Sequence, residues 1–358
     1  MKMLENGKYK SVRSENYNYD FRKEDGFFKR WGKTPKDDPQ FSPYGSEILD
    51  VEVSERCSLG CTACYKTNTP FGKNMSLETF KTILNKIPRN VNQIAFGIGS
   101  LDLCPELWDI MSYCRNNPYN QVVPNLTING FNFTDEQADK LSSLCGAIAV
   151  SKYYPKDVCY DAVKKLTDRG MKQINIHQMV SSQTLKSCYE VINDSKNDPR
   201  LAKLNAIVFL ILKPKGGRNN LQSVTFKEYK ALVDYALGLG VSVGFDSCSA
   251  NSFLKAVADH PDYEKYLMLS EPCESTMFSL YLNAEGHAFP CSFAEGEGEW
   301  KEGIDVVSCD DFIKDVWNHP RMNAFRNKSI SNCRDCVLFD DLIKVTDEDQ
   351  KETLNDTT

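Results

Sequence analysis

Within the stretch CSLGCTACY, Cys57, Cys61 and Cys64 form a C-x3-C-x2-C run with Gly60 inside it and Tyr65 directly after it. Thiolates are soft ligands suited to iron–sulfur clusters, and three on one short loop can hold three irons of a cube. The fourth iron is then left open to a small molecule. Zinc also accepts thiolates, but three so close together with no nearby fourth ligand fit a closed zinc site less well.

Eleven further cysteines bring the total to 14. The opening residues contain no apolar segment of the kind a secretory signal needs, and no run approaches the roughly 18 apolar residues of a membrane span. The expected compartment is the cytoplasm, where reducing conditions disfavour disulfides and clustered cysteines point to metal ligation or catalysis. A second set fits that reading. Cys273 is followed by twelve residues, Gly286, four residues and Cys291, and Cys333 and Cys336 form a C-x2-C clamp. A hairpin turning at Glu285-Gly286 would bring Cys273 and Cys291 together, and the clamp could complete one four-thiolate site. That site suits either a 4Fe–4S cluster or structural zinc, with Cys309 as a spare or alternative ligand. Cys104, Cys114, Cys145, Cys159 and Cys188 lie singly in or beside helical stretches and read as small buried apolar residues. Cys248 is different. In GFDSCSANS it follows an apolar run together with Asp246, and either could serve as a catalytic proton or hydrogen-atom donor.

The elements that must position these residues alternate along the chain. Strand-like runs are expected at 48–54, 93–99, 122–128, 147–153, 173–180, 206–212 and 241–246, with helix-like stretches between them. Ser76 with Glu78 and Thr79 predicts an N-cap for the first helix. Strands alternating with helices indicate βαβ units and a mainly parallel sheet, read as an α/β fold, a partial (β/α)6 TIM-like barrel with a small C-terminal cysteine-rich region. In such barrels chemistry sits at the C-terminal ends of the strands, and the first cysteine loop follows the first strand. The expected organisation is an irregular, aromatic-rich lead-in over 1–46, the barrel over 47–265, the cysteine-rich region over 266–342, and a disordered acidic tail over 343–358.

An aromatic residue after C-x3-C-x2-C, on the loop after strand one of a βα series, resembles the radical S-adenosylmethionine (SAM) superfamily over about residues 46–250. The resemblance implies a 4Fe–4S cluster on Cys57, Cys61 and Cys64 that binds SAM. It further implies reductive cleavage of SAM to a 5′-deoxyadenosyl radical, hydrogen-atom abstraction from a substrate, and an electron donor such as flavodoxin or ferredoxin. Residue by residue, Tyr65 follows the motif. Gly97, Gly99, Ser100 and Asp102 stand where the family usually has a Gly-Gly-Glu-Pro-like turn, here without its glutamate. Asn129, Ser151 and His177 stand at strand ends where cofactor contacts are expected, although plain structural roles suit them equally. The second set resembles the opening of the SPASM extension or its shorter relative twitch, implying one auxiliary 4Fe–4S cluster with zinc as the alternative.

Enzymes with this extension most often modify peptides or proteins, so a peptide or protein substrate is the first expectation. A nucleotide, nucleic-acid base or small metabolite is the rival, and a non-catalytic iron–sulfur or zinc protein on a degenerate barrel is a reading of another class. The net charge of −6 argues against a broad nucleic-acid footprint. The glycine-rich KPKGGRNN stretch (213–220) lacks nucleotide-loop spacing and reads as a solvated loop. The N-terminal aromatics Tyr17, Tyr19, Phe21, Phe27, Phe28 and Trp31 suit either substrate contact or packing against the barrel.

Overall fold

The computed structural model describes residues 1–345. The lead-in expected to be irregular is instead an ordered sheet. β1 (Lys2–Glu5), β2 (Tyr9–Arg13), β3 (Asn18–Arg22) and β4 (Phe28–Trp31) form a four-stranded antiparallel meander. Each strand is only four or five residues long and carries charges on its open face, so little alternation is visible along the chain. Tyr17, Tyr19 and Phe21 are buried on its other face against Val123, Met277 and Phe278. Phe27, by contrast, is 53% exposed. Lys10 is fully buried there, and its Nζ donates to the Val91 carbonyl at 2.5 Å.

The main sheet holds seven parallel strands in chain order: β5 (Ile48–Ser54), β6 (Gln93–Ile98), β7 (Val123–Ile128), β8 (Ile148–Ser151), β9 (Ile174–Val180), β10 (Ala206–Ile211) and β11 (Val243–Phe245). Between them run α1 (Leu77–Lys86), α2 (Leu107–Asn116), α3 (Asp135–Leu144), α4 (Lys156–Asp168), α5 (Leu185–Asn197) and α6 (Phe226–Gly238). Local chemistry sets the helix starts. Ser76 Oγ accepts from Thr79 N at 3.1 Å, and Thr134–Gln137 and Thr225–Glu228 form reciprocal capping boxes. This is a partial α/β barrel. Leu49, Val51 and Val53 pack outward into the core beneath the helices, while Asp50, Glu52 and Ser54 alternate with them toward the lumen.

After β11 come α7 (Ala250–Ala256) and α8 (Tyr263–Leu269), so the division expected after residue 265 falls inside a helix. The cysteine-rich region continues the same sheet. β12 (Ser279–Leu282) pairs parallel with β5, from Ser279 opposite Ile48 to Leu282 opposite Val51. β13 (His287–Phe289) and β14 (Ile304–Asp305) add antiparallel strands beyond it, and α9 (Pro320–Ser331) follows. The β12–β13 hairpin turns through Gly286 at φ +84°, where an added Cβ would come within 2.7 Å of Val307. Only glycine suits that turn. The first residues of the expected acidic tail are tied down, with Lys344 bonded to Val224 and Phe226. The rest of that tail lies outside the described residues. Among the described residues no helix is long and apolar enough to cross a membrane.

Candidate active site

The cysteine loop leaves the C-terminal end of β5. Ser54 Oγ donates to Asn74 Oδ1 at 2.6 Å, and Cys57 N donates to the Thr69 carbonyl at 3.0 Å, closing the loop at its base. Gly60 takes φ +62° at the tip. Cys57, Cys61 and Cys64 are all partly buried. Burial pushes the Cys61 thiol up, and the neighbouring Cys57 and Cys64 thiols push it further, as expected of sulfurs gathered in one place. Cys57 Sγ accepts from Ser100 Oγ at 3.5 Å, and Cys64 Sγ accepts from Asn68 N at 3.4 Å. Among the described residues no three His, Cys, Asp or Glu side chains already stand as a finished ligand cage. The three thiols share one loop.

The turn after β6 is pressed onto this loop. A Cβ on Gly99 would sit 2.1 Å from the Arg56 carbonyl oxygen and 2.7 Å from Cys57 Cβ, whereas one on Gly97 would meet nothing closer than 3.6 Å. Ser100 is buried, its N donating to the Arg56 carbonyl at 3.0 Å. Asp102, two residues on, is exposed. Asn129, just past β7, donates through Nδ2 to the Gly99 carbonyl at 2.9 Å. Ser151 ends β8 opposite His177 of β9. Burial lowers the His177 pKa to about 4 despite the pull of Asp246, leaving a neutral imidazole near pH 7.

Tyr153 was not singled out in the sequence. It is 39% exposed. The surrounding protein, with Cys61, Cys64 and Cys57 nearby, pushes its hydroxyl up to about 12. Nothing in the local pattern marks it, because its neighbours belong to a loop some 90 residues earlier in the chain.

Tyr65 packs against the C-terminal region. Its ring lies on Phe293, with centroids 4.4 Å apart, and the Ser292 hydroxyl is within reach of its own. The next residue, Lys66, pairs with Glu52 at 3.0 Å and with Glu295. Tyr281 Oη donates to Glu52 Oε2 at 2.8 Å. The first barrel strand, the cysteine loop and the C-terminal region are thus joined by one buried polar network, which the sequence did not disclose.

In the second set, Cys273, Cys291 and Cys336 lie close enough for each to bear on the ionisation of another. The C-x2-C clamp is stitched to Cys273 by Arg334, whose Nε donates to the Cys273 carbonyl at 2.9 Å. Cys333 is exposed on left-handed backbone at φ +51°. Cys309 lies elsewhere, beside Lys86 and the Asp305–Asp315 stretch. Cys248 is placed beside the auxiliary thiols: burial raises its pKa, and the nearby Cys273 and Cys291 thiols push it further. Burial alone would lower Lys213, but the Asp246 carboxylate and the Cys248 thiol outweigh that and hold its pKa up. The Lys213–Asp246 ion pair closes this side of the mouth. Cys104, Cys114, Cys145, Cys159 and Cys188 are buried.

The stretch after β10, expected to be a solvated loop, is not one. Lys215 Nζ donates to the Phe293 carbonyl at 2.8 Å, and Arg218 Nε to the Cys61 carbonyl at 3.3 Å. Polar, glycine-rich composition resembles that of a solvated loop even when the polar groups are spent on protein carbonyls.

Comparison with known proteins agrees with this geometry. Residues 273–337 match the SPASM family, an iron–sulfur cluster-binding domain. The solved structure of Streptococcus suis SuiB bound to S-adenosylmethionine is similar at TM-score 0.61 and 13% identity, covering 79% of this chain and 68% of that one. SuiB bound to precursor peptide SuiA gives 0.62 and 12%, covering 79% and 67%. Native anSMEcpe with bound AdoMet and Cp18Cys peptide gives 0.56 and 17%, covering 81% and 86%. At these identities the likeness is one of fold. No curated protein matches the sequence.

Proposed function

We propose that this chain, which joins a partial barrel of the radical SAM type to a SPASM extension, is a radical SAM enzyme acting on a peptide or protein. The observation that carries the reading is the placement of Cys57, Cys61 and Cys64 on one loop at the mouth of the lumen, with Gly99 packed against Cys57. The donor set fits a cluster: three soft thiols gathered without a fourth ligand of their own loop. Bound there, a 4Fe–4S cluster with SAM on its open iron would supply the one-electron reduction and carbon–sulfur cleavage that yield a 5′-deoxyadenosyl radical.

The chain's own residues bind, orient and exclude water. Ser100, held to the Arg56 carbonyl, and Asn129, held to the Gly99 carbonyl, brace the turn where the family's glutamate is missing. Ser151, Tyr153 and the neutral His177 offer hydrogen bonds from the facing strands without adding charge to the lumen. Asp246 and Cys248 are the candidates for proton and hydrogen-atom donation at the far side of the mouth. A buried thiol keeps its S–H, which hydrogen-atom donation requires. Cys273, Cys291, Cys333 and Cys336 would hold the auxiliary cluster. Solved structures of the same fold with SAM and with peptides bound support the substrate class, and a flavodoxin or ferredoxin would deliver the electron.

The test is anaerobic reconstitution and reduction with SAM, followed by chromatography for 5′-deoxyadenosine. Wild-type protein is expected to form it and the Cys61→Ala protein to form none. Iron-free protein, or equal yields from both, would overturn the reading.

A further inference from the structure

The segment from Lys213 to Asn219 makes contacts on two sides. Toward the C-terminal region, Lys215 Nζ donates to the Phe293 carbonyl at 2.8 Å and to that of Glu295, and pairs with Glu297 at 3.2 Å. Toward the cysteine loop, Gly216 adopts φ +104°, and a Cβ there would fall 2.3 Å from the Cys64 carbonyl oxygen. Gly217 N donates to Thr67 Oγ1 at 2.8 Å. Arg218 donates through Nε to the Cys61 carbonyl at 3.3 Å and through Nη2 to the Asn68 carbonyl at 3.2 Å. The segment is itself braced, since Asn219 Nδ2 donates to the carbonyls of Lys213 and Lys215, both at 3.0 Å.

Two physical consequences follow. The carbonyls of Cys61 and Asn68 bracket the half of the loop that carries Cys64, so a planar guanidinium spanning both fixes that turn. Arg218 also brings a permanent positive charge to the loop, its Nε 3.3 Å from the Cys61 carbonyl oxygen. A cluster on three thiolates becomes more negative on reduction, and a fixed cation nearby stabilises the reduced form.

We infer that the Lys213–Asn219 segment is a clasp joining the cysteine loop to the auxiliary region, with Arg218 the positioning residue whose charge eases reduction of the cluster on Cys57, Cys61 and Cys64. This rests on the functional reading above.

The measurement is an EPR-monitored redox titration of the full, reconstituted chain, following the signal that changes when SAM is added. At the potential where half the wild-type cluster is reduced, Arg218→Gln is expected to show a reduced-to-oxidised ratio at least tenfold lower, about 59 mV for a one-electron couple. Arg218→Lys keeps the charge and should keep most of the potential, but should lose hydrogen-exchange protection over 61–68. Lys215→Met cuts only the auxiliary side and should speed exchange over 213–219 and 61–68 with the potential unmoved. An Arg218→Gln protein with full iron and a wild-type potential overturns the electrostatic role. Unchanged exchange in Lys215→Met overturns the clasp, even if Arg218→Gln fails to fold. A wild-type chain without a SAM-responsive signal sinks the functional reading instead, so the two failures are distinct.

Discussion

Tyr65, the residue after the last cysteine of the barrel loop, lies against Phe293, two residues past the auxiliary Cys291, with ring planes inclined by 38°. The two cysteine-bearing segments therefore touch through a pair of aromatic side chains. Phe293 also covers the ammonium of Lys213 at 5.2 Å and meets Phe339 at 6.4 Å.

Removing that ring should loosen both segments. Phe293→Ala is expected to destabilise the chain by about 2–4 kcal/mol, from lost burial plus the aromatic pair, and Phe293→Leu by less than half as much. Denaturant unfolding of the two variants checks this, with iron content of the barrel site falling in the same order.

The two iron sites should be separable by composition. Wild-type protein is expected to carry roughly eight irons, from two four-iron clusters. Cys61→Ala and Cys291→Ala should each lose about four, and only Cys61→Ala should abolish the SAM-responsive EPR signal. Metal analysis giving one zinc in place of the second four irons would contradict the auxiliary cluster.

Gly97 and Gly99 should behave differently although they are two residues apart. A methyl group at 99 collides with the Arg56 carbonyl at 2.1 Å, while at 97 the nearest atom is 3.6 Å away. Gly99→Ala is therefore expected to displace the cysteine loop and lower iron retention severalfold. Gly97→Ala should retain wild-type iron, and equal losses in both would refute the packing argument.

His177 gives the chain an acid-sensitive term. Its pKa falls from 6.5 to about 4 on folding, so between those values the unfolded chain binds the proton and the folded one does not. The contribution is complete above pH 6.5 and is lost as the pH falls toward 4, amounting to about 3 kcal/mol at most. Asp50 opposes it weakly: the surrounding protein raises its pKa to about 6, but the residue is exposed to solvent, which mutes the loss of stability as the pH rises through that range. His177→Gln should flatten the rise in stability between pH 4 and 6.5 measured by chemical denaturation. A slope unchanged by the substitution would show that the imidazole is not desolvated.

The parts of the fold visible in the sequence are those set by short-range rules. The seven barrel strands lie within two residues of their expected bounds because their apolar runs are flanked by turn residues and helix caps such as Ser76. The cysteine loop was legible because Cys57, Cys61 and Cys64 are closely spaced in the chain. The N-terminal meander was not, because buried Lys10 and Asn18 break the apolar alternation that would announce strands. Arg218 and Cys61, or Lys66 and Glu295, are joined across 157 and 229 residues. No local spacing reports such a contact, so the loops that matter most for the site looked like ordinary polar connections.

The parallel pairing of β12 with β5 makes the barrel and the extension a shared ladder instead of tethered modules. A chain cut after α8 would strip β5 of its neighbour and bare a row of amides and carbonyls along an apolar strand, an open template for aggregation. The extension is thus also a cover for that flank, and melting should take both together as one cooperative unit.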